Sequence, residues 1–534
     1  MEKQSLTKGF AVMSAAGIIV KIMSFLYIPF LMAIIGDEGT GVYGAIYQVY
    51  VFIYVIANSG IPVAISKSIS ELNAVDNYKD ALRSFKIARS YLLILGLVLS
   101  IIMFITAGPV ASMLKCEKAS LGIAVLSPTL FITAIVSAYR GYFQGCGNMT
   151  PTAISQVIEQ IVNVVFTLLF AYLFRKSVEL ACAGATIGTS VGALIAGGYL
   201  IYIFNSNKSH PEFKLLKNSG VKRLTYKKLA KKIVKYSIPI TICVAAQYAG
   251  NLIDLGNTMT RLQAANFSET RASEMYGLLF KYQQLLNAPI AIASALAATI
   301  LPIISAAVAL NNKREINEKI NYAFRLCFFI AIPSAVGFSV LSKPIYSILS
   351  YGEGSYLMMY GSVVLVLMSI SQIQSSILQG AGRLYKATFY LLLGIVVKII
   401  VNYFLIGIRD INVMGAVIGS IIGFSVPIVL NTIEIKKSVG ANINFIKQII
   451  KPLVASGFMG MTVWIIYKLF YFIFNFMGNS YIANALATAI SVLAGVVAFM
   501  FVMIIIKGIT KEDLNNMPSK LKSIIPKRLI VLIR

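Results

Sequence analysis

The chain has 534 residues, 58% of them hydrophobic and only 13% charged, with a mean hydropathy of +0.79. Water-soluble proteins carry about 25% charged residues, so the composition excludes a soluble enzyme and leaves room for a dozen or more bilayer spans of about 20 residues each. The net charge of +27, from 47 Lys+Arg against 20 Asp+Glu, would suggest nucleic acid in a soluble chain, but here the basic residues fall between apolar runs, where they orient a membrane protein.

Taken in chain order, the apolar runs predict fourteen helical spans. They lie near 9–35, 44–66, 86–107, 119–142, 152–174, 180–204, 233–256, 275–300, 321–341, 356–378, 386–407, 412–433, 452–474 and 483–507. The first run is too long for the apolar region of a cleavable signal, and no A-x-A site follows it closely, so it is expected to be a span. The fold class this predicts is an all-α integral membrane protein.

Loop charge sets an expected orientation. With both termini in the cytoplasm, the inside loop 205–232 carries Lys208, Lys214, Lys217, Lys222, Arg223, Lys227, Lys228, Lys231 and Lys232. The other inside segments hold Lys79, Arg83 and Lys86, then Lys313 and Arg314, then Lys436 and Lys437. The alternating loops are short and poor in Lys and Arg; the first reads Gly36-Asp37-Glu38-Gly39. This is the positive-inside pattern. The tail 508–534 mixes Lys520, Lys522, Lys527 and Arg528 with Leu521, Ile524, Ile525, Leu529 and Ile530, which suits either an interfacial segment on anionic lipid or a solvated tail.

An internal repeat organises the first twelve spans. Phe143-Gln144-Gly145-Cys146-Gly147 recurs as Leu378-Gln379-Gly380-Ala381-Gly382. Gly184, Gly188 and Gly192 recur as Gly415, Gly419 and Gly423, and Pro109 with Met113-Leu114 recurs as Pro344 with Ile348-Leu349. The offsets are all about 231 to 235 residues, which points to duplication. Six spans per copy is an even number, so the copies are expected to be parallel lobes around a central cavity. The expected domains are an N-lobe 1–204, a basic cytoplasmic linker 205–232, a C-lobe 233–440, two further helices in 441–507 and the tail 508–534. The glycine stripes suit close helix packing, with a sliding surface as the alternative. Gln144, Gly145, Gln379 and Gly380 mark the repeat and are candidate gating positions.

Catalytic and metal chemistry lack their parts. Cys116, Cys146, Cys182, Cys243 and Cys327 are far apart, no CxxC pair occurs, and His210 is the one histidine. No P-loop occurs. No cofactor and no metal is expected. Ionisable residues inside spans are the better guide, because each costs about 2.5–3.5 kcal/mol at the bilayer centre on insertion scales. Lys21 falls near mid-depth of the first span, with Gly17, Ser14 and Ser24 on its face; Lys398 is similarly deep, with Asn402 one turn on. Both are candidate ligands of an anion in the cavity, and snorkelling is the competing expectation. Lys281 and Arg261 are further candidates nearer span ends. Asp254, beside Asn251 and Asn257, is a candidate ion or proton site, or neutralises a lysine. An excess of cations suits an anionic substrate such as a phosphate.

Gly36-Asp37-Glu38-Gly39-Thr40-Gly41-Val42-Tyr43 and Ser59-Gly60-Ile61-Pro62-Val63-Ala64-Ile65-Ser66-Lys67 resemble the multidrug/oligosaccharidyl-lipid/polysaccharide flippase superfamily. So do Arg140-Gly141-Tyr142-Phe143-Gln144-Gly145, Ser155-Gln156-Val157-Ile158-Glu159-Gln160 and Leu301-Pro302-Ile303-Ile304-Ser305. Within it the chain is similar to the Firmicute branch of stage V sporulation protein B and the MurJ-type lipid II flippases. The resemblance implies alternating access and export of an undecaprenyl-diphosphate-linked saccharide. Its diphosphate would sit in a cationic cavity, and its prenyl tail in a groove that the last two helices help form. A family arginine in the first helix aligns with Lys21. Two others fall on Tyr27 and Tyr54, and one on Gln284, a turn from Lys281. The resemblance implies Lys21 and Gln284 at the diphosphate site, and the charge lost at Tyr27 and Tyr54 is expected to be supplied by Lys281, Lys398 and Arg261. The sodium-site acids of some members have no clear match where Lys398 stands, which leaves membrane potential as the simpler driver. The implied partners are the lipid-linked saccharide and membrane lipids, with no nucleic acid, and the chain is expected to be monomeric. The competing readings are a multidrug/cation antiporter, an exporter of another lipid-linked polysaccharide unit, a polytopic membrane enzyme and a membrane scaffold.

Overall fold

The computed structural model describes residues 6–208, 224–309, 313–440, 444–476 and 479–508. Most of the basic linker, His210 and the tail beyond Gly508 lie outside the described residues. Among the described residues there are eighteen α-helices, one short 3-10 turn and no strand. A chain in hydrocarbon has to satisfy each backbone N–H and C=O within its own segment, which helices do.

The first helix, α1 (Leu6–Asn58), is broken at Gly36, with φ 72° and ψ −175°. The expected external loop at 36–39 is thus a single-residue break, in a region of backbone space that essentially only glycine occupies. Thr40 Oγ1 donates to the Gly36 carbonyl at 2.7 Å and closes the first turn beyond it. The helix α2 (Gly60–Ala74) follows after Ser59. The apolar stretch from Ala15 to Asn73 is 59 residues long, about 90 Å of helix at 1.5 Å per residue and enough for two crossings. Among the described residues, twelve helices are long and apolar enough to cross a membrane, or thirteen with one bent pair. Counting the two arms of α1 separately gives the fourteen expected.

The first repeat continues with α3 (Tyr78–Ile105), α4 (Ala107–Met113), α5 (Ser120–Leu126), α6 (Pro128–Gly145), α7 (Thr150–Leu173) and α8 (Val178–Lys208). Then come α9 (Tyr226–Ala264) and α10 (Glu269–Ala309). The second copy runs through α11 (Lys313–Val340), α12 (Ser342–Ile348), α13 (Ser355–Gly361), α14 (Val363–Gly380), α15 (Leu384–Ile406) and α16 (Met414–Val439). The last two helices are α17 (Phe445–Asn475) and α18 (Ser480–Ile505).

The element bounds show the duplication more sharply than the motifs. The helices α3, α4, α5 and α6 recur as α11, α12, α13 and α14, with one and the same displacement at both ends of every helix. The bend of 40° between α5 and α6 falls at Ser127, and the break between α13 and α14 falls at Ser362, again at that displacement. The packing repeats as well. A Cβ at Gly145 would lie 2.8 Å from the Ser66 carbonyl and from Ile69 Cβ; a Cβ at Gly380 would lie 2.9 Å from the Leu301 carbonyl and 3.2 Å from Ile304 Cβ. Each glycine therefore lets two helix backbones meet, which any side chain would prevent.

The chain forms two compact units, Met1–Phe280 with Ile406–Val413, and Lys281–Leu405 with Met414–Arg534. In the first unit, Phe85, Tyr139, Tyr142 and Phe204 form an aromatic core with ring centroids 4.8 to 5.4 Å apart. The helix α9 lies along α2: Lys232 pairs with Glu71 at 2.6 Å, and the Lys67 ammonium sits 4.1 Å from the centre of the Tyr236 ring. The buried Asp80 carboxylate accepts from the Leu224 N–H at 2.7 Å and so fixes the chain where it re-enters from the linker. The start of α10 lies against α1 beyond the break, where Gly41 faces the Ser273 carbonyl and Gly277 faces the Asp37 carbonyl. In the second unit, Phe324 and Phe328 pack with Phe445 of α17, and Phe329 packs edge-on against Phe499 of α18 at 5.2 Å. These contacts tie the two added helices to α11 of the second copy.

Candidate functional site

The small-residue stripes are helix seams. On α8, a Cβ at Gly192 would lie 2.7 Å from the Glu159 carbonyl and 3.3 Å from Asn163 Cβ, and one at Gly188 would overlap Thr167. On α16, a Cβ at Gly423 would lie 2.7 Å from Lys398 Cβ and 3.0 Å from the Gly394 carbonyl, and one at Gly419 would overlap the Asn402 side chain. The α7–α8 and α15–α16 pairs are therefore the same structure twice. Glu159, Asn163 and Thr167 correspond to Gly394, Lys398 and Asn402, at the displacement that relates α3–α6 to α11–α14. Close packing is what the glycines do in both copies, as expected.

This equivalence locates Lys398. Its Cβ is pressed against the glycine face of α16, and the residue is half-buried; Asn402 one turn on is fully buried. The first copy holds a neutral asparagine at the same place. The charge at Lys398 is thus an asymmetry added to a symmetric seam.

The other predicted positions lie on other helices. Lys21 is exposed in the first arm of α1, with no acidic partner among the described residues, and a Cβ at neighbouring Gly17 would meet nothing within 4 Å. It sits at the middle of the arm that runs from Leu6 to the Gly36 break. Arg261 lies in the last turn of α9 with its guanidinium packed on Gly407. Asp254 is buried on α9, within electrostatic reach of Tyr276. In the second unit, Gln284 is half-buried and accepts from Asn287 at 3.2 Å. Gly145 and Gly380 are the seam glycines already described; Gln144 beside the first is half-buried and Gln379 beside the second is exposed.

Lys281 is the least expected. Only 1% of it is exposed. Its Nζ donates to the Tyr351 carbonyl at 2.7 Å and lies 5.4 Å from the centre of the Tyr351 ring. Tyr351 in turn packs edge-on against the buried Tyr346 at 5.5 Å. One residue further along α10, the Tyr282 hydroxyl donates to the Gly361 carbonyl at 2.7 Å. Neighbouring side chains of α10 therefore hold the ends of α12 and α13. A lysine placed near a span end by sequence turns out to be a buried structural donor.

Two features of the first unit were not legible as site elements. The first is an ion pair within the spans: Arg140 Nη2 lies 2.6 Å from Glu159 Oε2, and Arg140 Nε donates to Ser155 Oγ at 2.9 Å. The side chains are 16% and 25% exposed, so the pair is largely desolvated. The second copy has Ser375 and Gly394 at these places and no pair. The second feature is a tyrosine ladder on α1. Tyr43, Tyr47, Tyr50 and Tyr54 follow one another with ring centroids 6.2, 6.2 and 5.7 Å apart. Tyr47, Tyr50 and Tyr54 lie within electrostatic reach of Glu159, and Tyr54 also of Arg140. The spacing of the tyrosines, four, three and four residues, was the available signal for one helix face. Nothing in the sequence paired Arg140 with Glu159.

A family model described as polysaccharide biosynthesis protein matches residues 6–308. The chain belongs to that family. It is 27% identical over 483 residues to the lipid II flippase MurJ of Bacillus subtilis, covering 86% of this chain and 88% of that protein. It is 23% identical over 533 residues to stage V sporulation protein B of the same organism, covering 97% of this chain and 98% of that one. Among solved structures, the inward closed conformation of a lipid II flippase MurJ matches with a TM-score of 0.68 at 14% identity, over 93% of this chain and 98% of that one. An inward-facing multidrug resistance MATE transporter of the MOP superfamily matches with a TM-score of 0.64 at 18% identity, over 78% of this chain and 95% of that one. This multi-pass membrane protein has the fold of the MOP superfamily, and its relatives are transporters and flippases.

Proposed function

We propose that the protein is a flippase that exports an undecaprenyl-diphosphate-linked saccharide, most simply the peptidoglycan precursor lipid II, across the cytoplasmic membrane by alternating access. The observation that carries this reading is the half-buried Lys398 on a seam whose first-copy counterpart, Asn163, is neutral. A membrane-embedded charge is costly, and one on an inward helix seam is by default a candidate for the substrate or ion path. A lysine is a point charge that accepts a phosphate in many orientations. Similarity to a lipid II flippase across 88% of that protein supports the substrate class.

In this reading Lys21 and Lys398 are diphosphate ligands, with Arg261 and Gln284 at the edges of the path. Lys281 serves by fixing α12, and would meet substrate only by giving up the Tyr351 carbonyl. The prenyl tail has a matching surface: a groove of about 520 Å³ between α17 and α18, lined by apolar side chains including Ile466, Leu493, Val497 and Phe501. In the same reading both termini face the cytoplasm, as the loop charges suggest, the lobes follow the repeat, and the protein works as a monomer.

A multidrug/cation antiporter is the second reading. It is favoured by Glu159 and Asp254, two acids within spans of the first unit. Complementation of a strain depleted of its lipid II flippase, with a leaflet assay for lipid II, decides between them. Rescue with lipid II reaching the outer leaflet supports the flippase. Failure despite normal membrane insertion, together with drug-dependent proton or cation exchange in vesicles, supports the antiporter.

A further inference from the structure

The helices α17 and α18 meet α12 around a polar cup of about 350 Å³, lined by Lys343, Ser347, Tyr467, Tyr471, Ser480 and Tyr481. Its floor is fixed. Asn484 is 4% exposed, donates to the Pro344 carbonyl at 3.1 Å and accepts from the Tyr467 hydroxyl at 2.9 Å. The Tyr467 ring stacks on Tyr471 at 5.7 Å, and the Tyr481 hydroxyl donates to the Ile348 carbonyl at 3.0 Å. Lys343 is exposed at the wall of the cup and has no acidic partner among the described residues. The cup lies between the end of the apolar helix α17 and the start of the apolar helix α18, which is the level of a membrane–water interface.

We propose that this cup binds the phosphoryl headgroup of an anionic phospholipid. A lone ammonium over a rigid floor, with the hydroxyls of Ser347, Tyr471 and Ser480 beside it as donors, is the chemistry that a phosphodiester requires. Tyrosines at this depth are suited to sit with the headgroups. The site uses neither Lys21 nor Lys398, and it stands whether or not the protein flips a lipid. With the termini in the cytoplasm it faces the outer leaflet. Its effect would be to hold α12 and the added helices together through a bound lipid.

The test is native mass spectrometry of the full-length protein in mixed phosphatidylglycerol and phosphatidylcholine micelles. Wild type should retain phosphatidylglycerol in preference to phosphatidylcholine. Lys343→Gln should lower that retention about tenfold, and Lys343→Arg should restore it, since either cation serves a phosphate. Tyr471→Phe, which keeps the ring and removes one hydroxyl, should weaken retention by a smaller factor. Equal retention of phosphatidylglycerol by wild type and Lys343→Gln would overturn the proposal. So would equal retention of phosphatidylcholine, or displacement of the lipid by inorganic phosphate alone, which would make the ligand a free anion.

Discussion

Asn163 and Lys398 stand at one position in two copies of a helix pair, each pressed against a glycine of the next helix, Gly192 and Gly423 respectively. The seam around them is duplicated down to the contacting carbonyls of Glu159 and Gly394. At this position the first copy has an amide and the second an ammonium. In the proposed function the charge added at this position binds the substrate. Lys398→Gln should therefore cut transport at least tenfold while membrane levels stay normal, and Lys398→Arg should retain part of it. Asn163→Gln should change little. Transport of lipid II to the outer leaflet, normalised to protein level, is the measurement.

Lys21 gives a second transport prediction. It is exposed and unpaired among the described residues, so removing its charge leaves no orphaned partner. Lys21→Ala should abolish complementation without lowering the midpoint of thermal unfolding. A variant that grows normally would remove Lys21 from the diphosphate site.

Arg140 and Glu159 should behave as a unit. Removing one member of a largely desolvated pair strands the other and costs about 3 kcal/mol, whereas removing both costs less. Arg140→Gln and Glu159→Gln should each lower stability in a detergent unfolding titration. The double variant should be more stable than either single one. Additive losses would show that the two charges act separately.

Two uncrowded glycines of α1 should respond oppositely to alanine. A Cβ at Gly17 or at Gly36 would meet nothing within 4 Å. Gly17 is within regular helix, where alanine gains about 0.5–1 kcal/mol. Gly36 has φ 72°, and placing a side chain there costs about 1–3 kcal/mol through the backbone alone. Gly17→Ala should raise the unfolding midpoint and Gly36→Ala should lower it. A fall in both would mean that contacts, not backbone conformation, govern this arm.

The spans and the duplication were legible because a bilayer span is long and its apolar signal is strong. Finer features depended on whether one residue carried the information. Pro128 marks the start of α6 in sequence, yet its counterpart, Val363, starts α14 with no proline at all. The turn at 36–39 read as a loop because Gly, Asp and Glu are polar or flexible, but one glycine with positive φ suffices. Lys281 could not be read because its partner is a backbone carbonyl 70 residues away. The Arg140–Glu159 pair was hidden for the same reason: contacts between helices leave no periodic trace along the chain.

The register of the duplication carries a further consequence. It holds without a slip from the start of α3 to the end of α6, and from Glu159 to Thr167. The glycines of α8 then recur slightly early, with Gly184, Gly188 and Gly192 answered by Gly415, Gly419 and Gly423. The shortfall is about four residues and falls across the connection between the two helices, so the glycine seam itself is kept. The chain thus contains a record of which changes its architecture accepts. Residues can be shed from the facing ends of α15 and α16, whereas the stretch from Tyr78 to Gly145 has kept its length to the residue in both copies. An inserted tag or reporter should be borne at the exposed residues 408–410 of the connection and rejected at the matched junctions around Ser127 and Ser362.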